Sequence, residues 1–431
     1  MEQLIVHQSA CHGTISLPPS KSHTQRALLF ALMGSGISHI HHYLASPDIE
    51  HMLNAILHLG AKLLYRDHAL LTIQGVHGHL QPAEDVLFAG NSGQLLRFLG
   101  ALSSLLPTYT ILTGDVSIRH NRPVLPLLHG ITQRGGFAVS ANNNGTAPII
   151  IKGPIQPGPI AIDGMCSQAV SGFLMACSFL EGESSITVHN RQEAAWLRLT
   201  LSWLDFLHIS YTHHNLEHFT LHGHATYSGF TMTIPGDLSS AAFPLVAALL
   251  THSSITILHV DRDSYQGDDL VIDLLTKLGA HLTYDSVKKT LHVDQCIALQ
   301  GGIIDLSNCI DAVPIFCVVG CKTTSPLTLI NIEGARHKES DRLSSMTQEL
   351  RKMGAKIDEE KNRLTIYPSR LHGAILHSHH DHRIAMALSI AGFLAQGTTL
   401  IEETACVAKS YPHYAEAMGA LGFAITTDFS S

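Results

Sequence analysis

Charged residues are scarce in this chain of 431 residues, and positively charged ones are the minority. Only 14% of the residues are Asp, Glu, Lys or Arg, and the formal net charge is −8. Because nucleic-acid binding depends largely on positive charge, this balance excludes a protein whose affinity for nucleic acid comes from overall charge. The 27 Lys and Arg residues can still be concentrated at local anion sites.

Long apolar runs, a secretory signal and paired cysteines are also missing. No stretch approaches the ~18 consecutive apolar residues that a membrane-spanning helix needs. The first ten residues, MEQLIVHQSA, lack the basic and apolar regions of a signal peptide. We therefore expect a soluble, cytoplasmic protein. The eight cysteines contain no Cys-x-x-Cys pair and are predicted to be reduced core residues: Cys11, Cys166, Cys177, Cys296, Cys309, Cys317, Cys321 and Cys406.

Histidine, by contrast, is abundant, with 31 residues and a dense run HSHHDHR at positions 377–383. A zinc site needs three or four ligands that regular secondary structure holds in place. Most of this run precedes an apolar helix, and the enrichment extends over the whole chain on strands and loops. We expect no functional metal here.

A long internal repeat organises the chain. A helical run followed by Gly and an alternating polar segment recurs, for example in LHLGAKLLYRDHALLTI and KLGAHLTYDSVKKTLHV. A Gly directly after a helix typically adopts the left-handed conformation, and the alternation predicts a strand hairpin. The period of roughly 70 residues exceeds that of solenoids and predicts a folding module. The six markers are Gly60, Gly136, Leu207 (in a degenerate copy), Gly279, Gly354 and Gly422 (in a truncated copy).

Length and composition indicate two domains. The 45% apolar content suffices for two sizeable cores, and a single core stops growing near ~250–300 residues. Six repeats then divide into three per domain. The sequence predicts a pseudo-symmetric α/β protein.

Polar clusters in the first half lie at predicted helix starts. Ser20 can cap the helix that follows Pro18-Pro19, with Lys21 and Arg26 in its first turns. The backbone N–H groups of such a turn already favour an anion. Two further predicted helix starts also combine an arginine with Gly or Pro. They are Gly90, Asn91 and Gly93 before Arg97, and Arg122 before Pro123.

The second half repeats this arrangement in the segments KESDR and DHR and at Lys409. One interpretation is a set of charged helix starts with i,i+3 and i,i+4 ion pairs. It does not explain why cations recur at the positive end of helices, where they are mildly disfavoured. We therefore expect a strongly cationic pocket that binds small, multiply charged anions. The residues concerned are Lys338, Glu339, Asp341, Arg342, Asp381, His382, Arg383 and Lys409.

At these residues the chain resembles the EPSP synthase family of enolpyruvyl transferases, over essentially its whole length. The matching segments are PSKSHTQRAL, AGNSGQLLRF, GDLSSAAFPLVAALL, CIDAVPIF, KESDRL, DHRIAMAL and ACVAKSYP. The resemblance implies a two-domain inside-out α/β barrel with three βαβαββ repeats per domain and buried parallel helices. One domain would comprise 1–18 plus 237–431 and the other 19–236, with hinges near 18–20 and 234–236.

The resemblance also implies an activity in the shikimate pathway. An enolpyruvyl group would pass from phosphoenolpyruvate to the 5-hydroxyl of shikimate 3-phosphate, which releases phosphate. These two small molecules would be the only partners, with no nucleic acid, membrane, metal or organic cofactor, and a monomer is expected. Closure of the two domains would expel water and strengthen the charge contacts.

Site residues follow from the matching positions. Asp311 resembles the base at the acceptor hydroxyl, Glu339 the proton donor to C3 of phosphoenolpyruvate, and Lys21 a bridge between both substrates. A helix N-cap is the other interpretation of Asp311. The implied shikimate 3-phosphate contacts are Lys21, Ser22, Arg26, Ser167, Gln168, Asp311 and Lys338. The implied phosphoenolpyruvate contacts are Lys21, Gly93, Arg122, Gln168, Arg342, Arg383 and Lys409.

The chain departs from the family pattern in the phosphate pocket. Cys166 replaces the first Ser of Ser-Ser-Gln, and NRQEAAWLRLTL lacks a phosphate-binding Ser, with Trp196 where an aromatic residue is expected. Gln94 and Phe98 also replace the usual Thr and Pro. Phosphate recognition therefore differs in detail.

Two alternatives remain open. A UDP-N-acetylglucosamine enolpyruvyl transferase would share the fold and donor, but it would need a reactive Cys that GDVSIRHNRP lacks. A non-catalytic anion-binding paralogue should have lost catalytic groups, whereas those named above are present. Release of phosphate from both substrates distinguishes the three.

Overall fold

The computed structural model describes residues 2–294 and 298–429, so the predicted core residue Cys296 lies outside the described residues. The helices are α1 Lys21–Met33, α2 Pro47–His58, α3 Gly93–Ser103, α4 Val116–His120, α5 Leu125–Gln133, α6 Ser167–Ser178, α7 Ala194–Phe206, α8 Leu238–Leu250, α9 Leu270–Lys277, α10 Val313–Gly320, α11 Arg342–Lys352, α12 His382–Leu394 and α13 Tyr414–Ala420. Short 3-10 helices cover Gly267–Asp269, Ile310–Ala312, Glu333–His337 and Thr404–Lys409.

The strands are short and alternate with these helices. They are β1 Glu2–His7, β2 His12–Ser16, β3 Ile37–His41, β4 Lys62–Arg66, β5 Leu70–Gln74, β6 Leu87–Phe88, β7 Tyr109–Thr113, β8 Phe137–Ser140, β9 Ile149–Lys152, β10 Pro159–Asp163, β11 Ser184–His189, β12 Tyr211–His214, β13 His218–Leu221, β14 Thr231–Thr233, β15 Ser254–Leu258, β16 Leu282–Asp285, β17 Thr290–Val293, β18 Gly302–Asp305, β19 Leu327–Ile330, β20 Lys356–Glu360, β21 Arg363–Tyr367, β22 Ile375–His377, β23 Thr398–Glu402 and β24 Ile425–Phe429.

The chain forms two compact units. The discontinuous unit comprises Met1–Pro18 and Pro235–Ser431, and the continuous unit comprises Pro19–Ile234. Three four-stranded sheets lie in each: β22-β23-β1-β24, β16-β17-β15-β2 and β18-β19-β21-β20 in the first, and β10-β11-β13-β12, β14-β3-β5-β4 and β6-β7-β9-β8 in the second. These six mixed sheets confirm the predicted α/β class, although the strands form no closed barrel within the described ranges.

All six sheets share one topology, which is the structural form of the repeat. A parallel pair such as β10·β11 is extended by an antiparallel hairpin such as β12·β13. The truncated last copy follows the same plan because the N-terminal β1 pairs antiparallel with β23 and β24. The first residues of the chain thus supply the strand that the sixth copy lacks.

A left-handed residue ends the helix in each copy, as predicted. Four of the six marker positions have φ between 91° and 105°, namely Gly60, Gly279, Gly354 and Gly422. The other two markers were misplaced by one residue. Gly135 (φ 83°), and not Gly136, is left-handed in the second copy, and His208 (φ 55°) follows Leu207 in the degenerate one.

Each unit buries three helices against its sheets. In the discontinuous unit, α8, α10 and α12 pack on one another, and the described residues of all three are almost entirely buried. In the continuous unit α1, α3 and α6 are buried in the same way, and α3 packs on α6. A helix that is apolar on all sides belongs in a core rather than at a surface.

The described cysteines agree only in part with the prediction of reduced core residues, because two of them are not fully buried. Five of the seven are buried, Cys166 and Cys406 are partly exposed, and all seven are free thiols. Among residues 2–294 and 298–429, no helix is long and apolar enough to cross a membrane.

Candidate active site

Loops and 3-10 helices at the entries of α10, α11 and α12 gather the predicted residues of the discontinuous unit. Asp311 lies in the 3-10 helix that leads into α10, and Arg342 is the first residue of α11. Asp381 caps α12 by accepting a hydrogen bond from the backbone N–H of Arg383. Lys409 ends the last 3-10 helix. These elements bring together a group that we call the acidic–basic cluster: Asp311, Lys338, Glu339, Arg342, Asp381, Arg383 and Lys409.

Arg342 is the centre of the acidic–basic cluster. Its guanidinium contacts three carboxylates, with 2.6 Å from Nη1 to Asp311, 2.7 Å from Nη2 to Glu339 and 2.8 Å from Nε to Asp381. Its side chain is 1% exposed. Burial opposes the charge, but the three carboxylates outweigh it and raise the pKa of Arg342 above its usual value. Arg342 therefore fixes the two predicted proton-transfer groups in one place.

Asp311 is held as a carboxylate. Burial alone would raise its pKa, but the charges of Lys338, Arg383 and Arg342 hold the pKa of Asp311 well below its usual value. The Nζ atom of Lys338 lies 3.5 Å from Oδ1, and Nη2 of Arg383 lies 3.6 Å from Oδ2. An ionised carboxylate is the form that can accept a hydrogen bond from an alcohol. The helix N-cap interpretation does not hold, because the Ala312 backbone at the start of α10 has no side-chain cap.

Glu339 lies between two cations. One oxygen accepts a hydrogen bond from Arg342, and the other accepts one from Lys409 at 2.9 Å. The residue is largely buried, at 9% exposure. A group in this position can exchange a proton with a ligand while its orientation is held by its two partners.

The expectation of a strongly cationic pocket is not met within the acidic–basic cluster. Every one of its four cations lies within 3.7 Å of a carboxylate, so the charges are balanced: Lys338 and Arg342 on Asp311, Arg383 on Asp268 and Asp311, and Lys409 on Glu339. Cations placed in a buried region need counter-charges, because an uncompensated buried charge is costly. The cluster is a set of ion pairs that an anionic ligand has to rearrange.

In the continuous unit the predicted residues lie at the starts of α1, α3 and α6, except Arg122, which lies between α4 and α5. Lys21 donates a hydrogen bond to Asp48 at 3.1 Å, and Asp48 is 1% exposed. Ser22 donates to the side chain of Gln94 at 3.4 Å. Asp48 carries no sequence signal of this contact beyond its place in the first turn of α2 after Pro47.

Arg26 is buried against uncharged partners. Its guanidinium donates to Thr200 Oγ1 at 2.9 and 3.1 Å and to the Ser22 carbonyl, and it lies 5.0 Å from the ring centre of Phe98. Burial lowers the pKa of Arg26 to about 9. No carboxylate among the described residues pairs with this guanidinium, so its charge is available to an anion that reaches it.

Gly93 is required by the close approach of two arginines. A Cβ atom on Gly93 would lie 2.7 Å from Arg97 Nη1 and 3.4 Å from Arg122 Cζ. Arg97 also donates to Gln168 Oε1 at 2.6 Å, which ties the start of α3 to that of α6. Gly93, Arg122 and Gln168 are therefore neighbours, as the resemblance implies, and Arg97 joins them.

A carboxylate stands beside the predicted phosphate ligand Ser167. The Ser167 hydroxyl donates a hydrogen bond to Glu193 Oε2 at 3.3 Å, and Glu193 is 3% exposed with a left-handed backbone (φ 51°). Cys166 lies beside them at the N-cap of α6. The missing serine of this segment is visible in the sequence, but the contact of Glu193 with Ser167 is not. The left-handed backbone of a non-glycine residue gives no local sequence signal.

The histidine run pairs with glutamates. His377, His379 and His380 lie 3.0, 3.0 and 3.4 Å from Glu402, Glu349 and Glu403, respectively. Within the described parts of the chain, no group of three or more His, Cys, Asp or Glu side chains could hold a metal ion. These His–Glu contacts hold the loop that leads into α12 in place.

Comparison with known proteins decides the family. The sequence model of the family described as EPSP synthase (3-phosphoshikimate 1-carboxyvinyltransferase) matches residues 5–418. The chain belongs to the EPSP synthase family. It is thus a transferase of the enolpyruvyl type, and this confirms the family, the activity class and the shikimate-pathway function predicted from the motifs.

Relatives and solved structures agree. The chain is 39% identical to the 3-phosphoshikimate 1-carboxyvinyltransferase of Chlamydia abortus and 40% identical to that of Chlamydia muridarum. Both alignments span 418 residues and cover 96% of this chain and 93% of the relative. A solved structure of EPSP synthase from Acinetobacter baumannii is 26% identical, with a TM-score of 0.83 over the full length of both chains. The fold described above is that of these enzymes.

Proposed function

We propose that this protein transfers the enolpyruvyl group of phosphoenolpyruvate to the 5-hydroxyl of shikimate 3-phosphate and releases phosphate. The observation that carries the proposal is the acidic–basic cluster, in which Arg342 holds Asp311 and Glu339 at 2.6 and 2.7 Å. Addition of an alcohol to an enol double bond needs one group that accepts the hydroxyl proton and another that donates a proton to carbon.

Asp311 is the proposed base at the acceptor hydroxyl, and Glu339 the proposed proton donor to C3 of phosphoenolpyruvate. When C3 is protonated, the acceptor oxygen bonds to C2, and a tetrahedral intermediate forms. Loss of a proton from C3 and departure of phosphate then restore the double bond. Arg342 and Lys409 hold Glu339 in one orientation, so that once protonated it can donate a proton to C3 and later accept one from C3.

The anion-binding residues divide between the two units. In the continuous unit the proposed ligands of shikimate 3-phosphate are Lys21, Ser22, Arg26, Ser167 and Gln168, and those of phosphoenolpyruvate are Lys21, Gly93, Arg122 and Gln168. In the discontinuous unit the proposed acceptor ligands are Asp311 and Lys338, and the donor ligands are Arg342, Arg383 and Lys409. Arg side chains suit these roles because they bind carboxylate and phosphate through paired donors. The two units are the proposed domains.

Acceptor recognition is expected to differ in one respect from the family pattern. Glu193 accepts the hydroxyl hydrogen of Ser167, a proposed phosphate ligand. A carboxylate next to a phosphate is repulsive, so Glu193 is expected to turn away when the acceptor binds. Arg26, whose described hydrogen-bond partners are uncharged, supplies the compensating positive charge.

We also propose a cytoplasmic monomer that needs no metal or organic cofactor. The seven described cysteines are free, which is the usual state in a reducing compartment. Light scattering during gel filtration tests the monomer, and activity after exhaustive chelation tests the metal-free reaction.

The deciding experiment measures phosphate release from phosphoenolpyruvate with three acceptors: shikimate 3-phosphate, UDP-N-acetylglucosamine and none. Release is expected only with shikimate 3-phosphate. The Arg383→Ala variant should raise the KM for phosphoenolpyruvate because a charged ligand is lost. Arg363→Ala, a half-exposed arginine paired with Glu360, is the matched control and should leave KM unchanged.

Two results would contradict the proposal. Release at a comparable rate with UDP-N-acetylglucosamine would indicate the other enolpyruvyl transferase. Binding of shikimate 3-phosphate in calorimetry without any turnover would indicate a non-catalytic anion-binding paralogue.

A further inference from the structure

Asp268 is a buried carboxylate at the edge of the acidic–basic cluster that the proposed chemistry does not use. It lies in the 3-10 helix Gly267–Asp269, before α9, and is 2% exposed. One oxygen, Oδ2, accepts a hydrogen bond from the hydroxyl of Ser239 on α8. The other, Oδ1, is buried and has no hydrogen-bond partner among residues 2–294 and 298–429. A buried carboxylate oxygen without a donor is costly and calls for an explanation.

Arg383, a proposed ligand of phosphoenolpyruvate, is the only cation close to Asp268 in the described structure. Nη2 of Arg383 lies 3.7 Å from Asp268 Oδ2 and 3.6 Å from Asp311 Oδ2. Arg383 therefore lies near two carboxylates, at distances too long for good hydrogen bonds to either. Both contacts are long ion pairs, so an anionic ligand can compete with the two carboxylates for the guanidinium.

The other charged groups around Asp268 are all negative or ionise to a negative form. Burial is the main reason that the pKa of Asp268 rises to about 6, and Asp311 and Asp237 add to the rise, whereas Arg383 and Ser239 oppose it. The thiol of Cys309 faces the same carboxylates, and burial together with Asp268 raises its pKa. Arg383 is thus the main group that keeps Asp268 ionised.

We propose that Asp268 is a positioning residue that competes with phosphoenolpyruvate for Arg383 and takes up a proton when the donor binds. This inference rests on the proposed function, because it takes Arg383 as a ligand of phosphoenolpyruvate. When the donor's anionic group pairs with Arg383, the buried Asp268 loses its counter-charge. A proton from solvent then binds Oδ1, the oxygen without a donor, and neutralises the carboxyl.

A specific pH dependence follows. Below about pH 6 Asp268 is protonated and no longer competes for Arg383, which keeps its contacts with Asp311. Above that pH the ionised carboxylate holds Arg383, and binding of phosphoenolpyruvate has to displace it. The affinity for phosphoenolpyruvate should therefore fall as the pH rises through about 6, and an uncharged replacement of Asp268 should abolish this fall.

The experiment compares wild type with Asp268→Asn at saturating shikimate 3-phosphate, from roughly pH 5 to roughly pH 8.5. Asn keeps the size and the acceptor for Ser239 but mimics the protonated form. The ratio of wild-type KM to variant KM for phosphoenolpyruvate is expected near one at the acidic end. It should rise to about tenfold at the alkaline end, within the usual range for linked equilibria. Taking the ratio cancels the titration of the donor's own phosphate, which has a second pKa of about 6.

Two further variants provide a control and an independent test. Asp273→Asn changes a largely exposed carboxylate on α9 that pairs with Arg262, so its KM ratio should stay near one at every pH. Ser239→Ala keeps Asp268 but removes the hydrogen bond that favours its ionised form. The fall in affinity should then shift to higher pH, and this result is available even if Asp268→Asn fails to fold.

A KM ratio for Asp268→Asn that is constant over the pH range would overturn the inference, since a purely structural role changes KM equally at every pH. An unchanged pH profile in Ser239→Ala would do the same. If wild type shows no turnover with shikimate 3-phosphate, the proposed function fails by itself. Calorimetry of phosphoenolpyruvate in two buffers of different ionisation enthalpy then tests the inference, and equal proton uptake by wild type and Asp268→Asn would refute it.

Discussion

At the scale of single residues, the geometry around Arg342 separates groups that move protons from groups that bind anions. Asp311 and Glu339 each contact Arg342, but their other partners differ: Lys338 and Arg383 for Asp311, and Lys409 for Glu339. The two carboxylates therefore have different environments and can take different roles.

Amide variants of these two carboxylates should lower kcat. Glu339→Gln and Asp311→Asn keep the size of the side chain and remove its proton-transfer capacity, so kcat should fall by ~10²–10⁴-fold, the usual effect of one general acid or base. Binding of shikimate 3-phosphate should change little in Glu339→Gln, because that residue is assigned to the donor. Steady-state kinetics with calorimetry of acceptor binding checks both. Near-normal kcat with lost acceptor affinity in Glu339→Gln would contradict its assignment.

A second residue, Glu349, should make stability depend on pH. Burial alone would raise its pKa, but hydrogen bonds from His379, Lys352 and the backbone N–H of His377 outweigh burial and lower the pKa of Glu349 to about 2. A carboxylate with a depressed folded-state pKa stabilises the fold above its unfolded pKa of about 4.5, and this contribution is lost as pH falls towards 2.

Glu349→Gln is therefore expected to lower the free energy of unfolding by up to about 3 kcal/mol near pH 6, and more than half of this difference should be gone by about pH 3. Urea unfolding at several pH values measures it. Glu360→Gln, an exposed carboxylate paired with Arg363, is the control and should change stability by about 0.5 kcal/mol or less. A difference that does not depend on pH would mean that the ion pairs of Glu349 do not stabilise the fold.

At the scale of elements, the end of each repeat helix is set by one left-handed residue. Glycine fills this position in five copies, and His208 fills it in the sixth with φ 55°. A side chain with a Cβ is strained there, whereas glycine is not. The degenerate copy retains the conformation and has lost the residue that best suits it.

His208→Gly should consequently stabilise the protein. Relief of the left-handed strain exceeds the entropy that glycine adds to the unfolded chain, so a gain of about 0.5–1 kcal/mol in the free energy of unfolding is expected. The control is His213→Gly in strand β12, where glycine weakens a strand and should destabilise. Thermal and urea unfolding of both variants measure the difference. A loss of stability in His208→Gly would show that contacts of the His208 side chain stabilise the fold by more than its left-handed backbone destabilises it.

At the scale of the whole molecule, the two ends of the chain close the sixth repeat. β1 lies between β23 and β24 and is antiparallel to both. The N-terminal strand is therefore part of the core of the discontinuous unit and not an extension of it. Leu4 and Val6 are buried in that core at 3% and 0% exposure.

Leu4→Ala should destabilise the discontinuous unit by about 2–5 kcal/mol, as for other buried large-to-small changes. Gln3→Ala on the same strand removes only an exposed hydrogen bond to Asp428 and should change stability by about 0.5 kcal/mol or less. Denaturant unfolding compares them. Equal effects of the two substitutions would mean that β1 contributes little to the core.

Sequence alone was sufficient for the repeat, the α/β class and the family, because these depend on local signals. A glycine after a helical run, alternation in a strand and the order of residues in SKS, KESDR and DHR are all properties of neighbouring positions. Even the truncated last copy was visible, although its missing strand was not: strand pairing between residues some four hundred positions apart leaves no local trace.

Tertiary structure alone decided how the charges are arranged. The sequence predicted a strongly cationic pocket from cations at helix starts, but the fold brings Asp268, Asp311, Glu339 and Asp381 onto those same cations. Glu193 beside Ser167 could not be foreseen for the same reason, since the contact depends on how two helix starts meet. Electrostatic energy falls with distance in space and not with distance along the chain. Composition therefore bounds the number of charges, while packing determines which of them face a ligand.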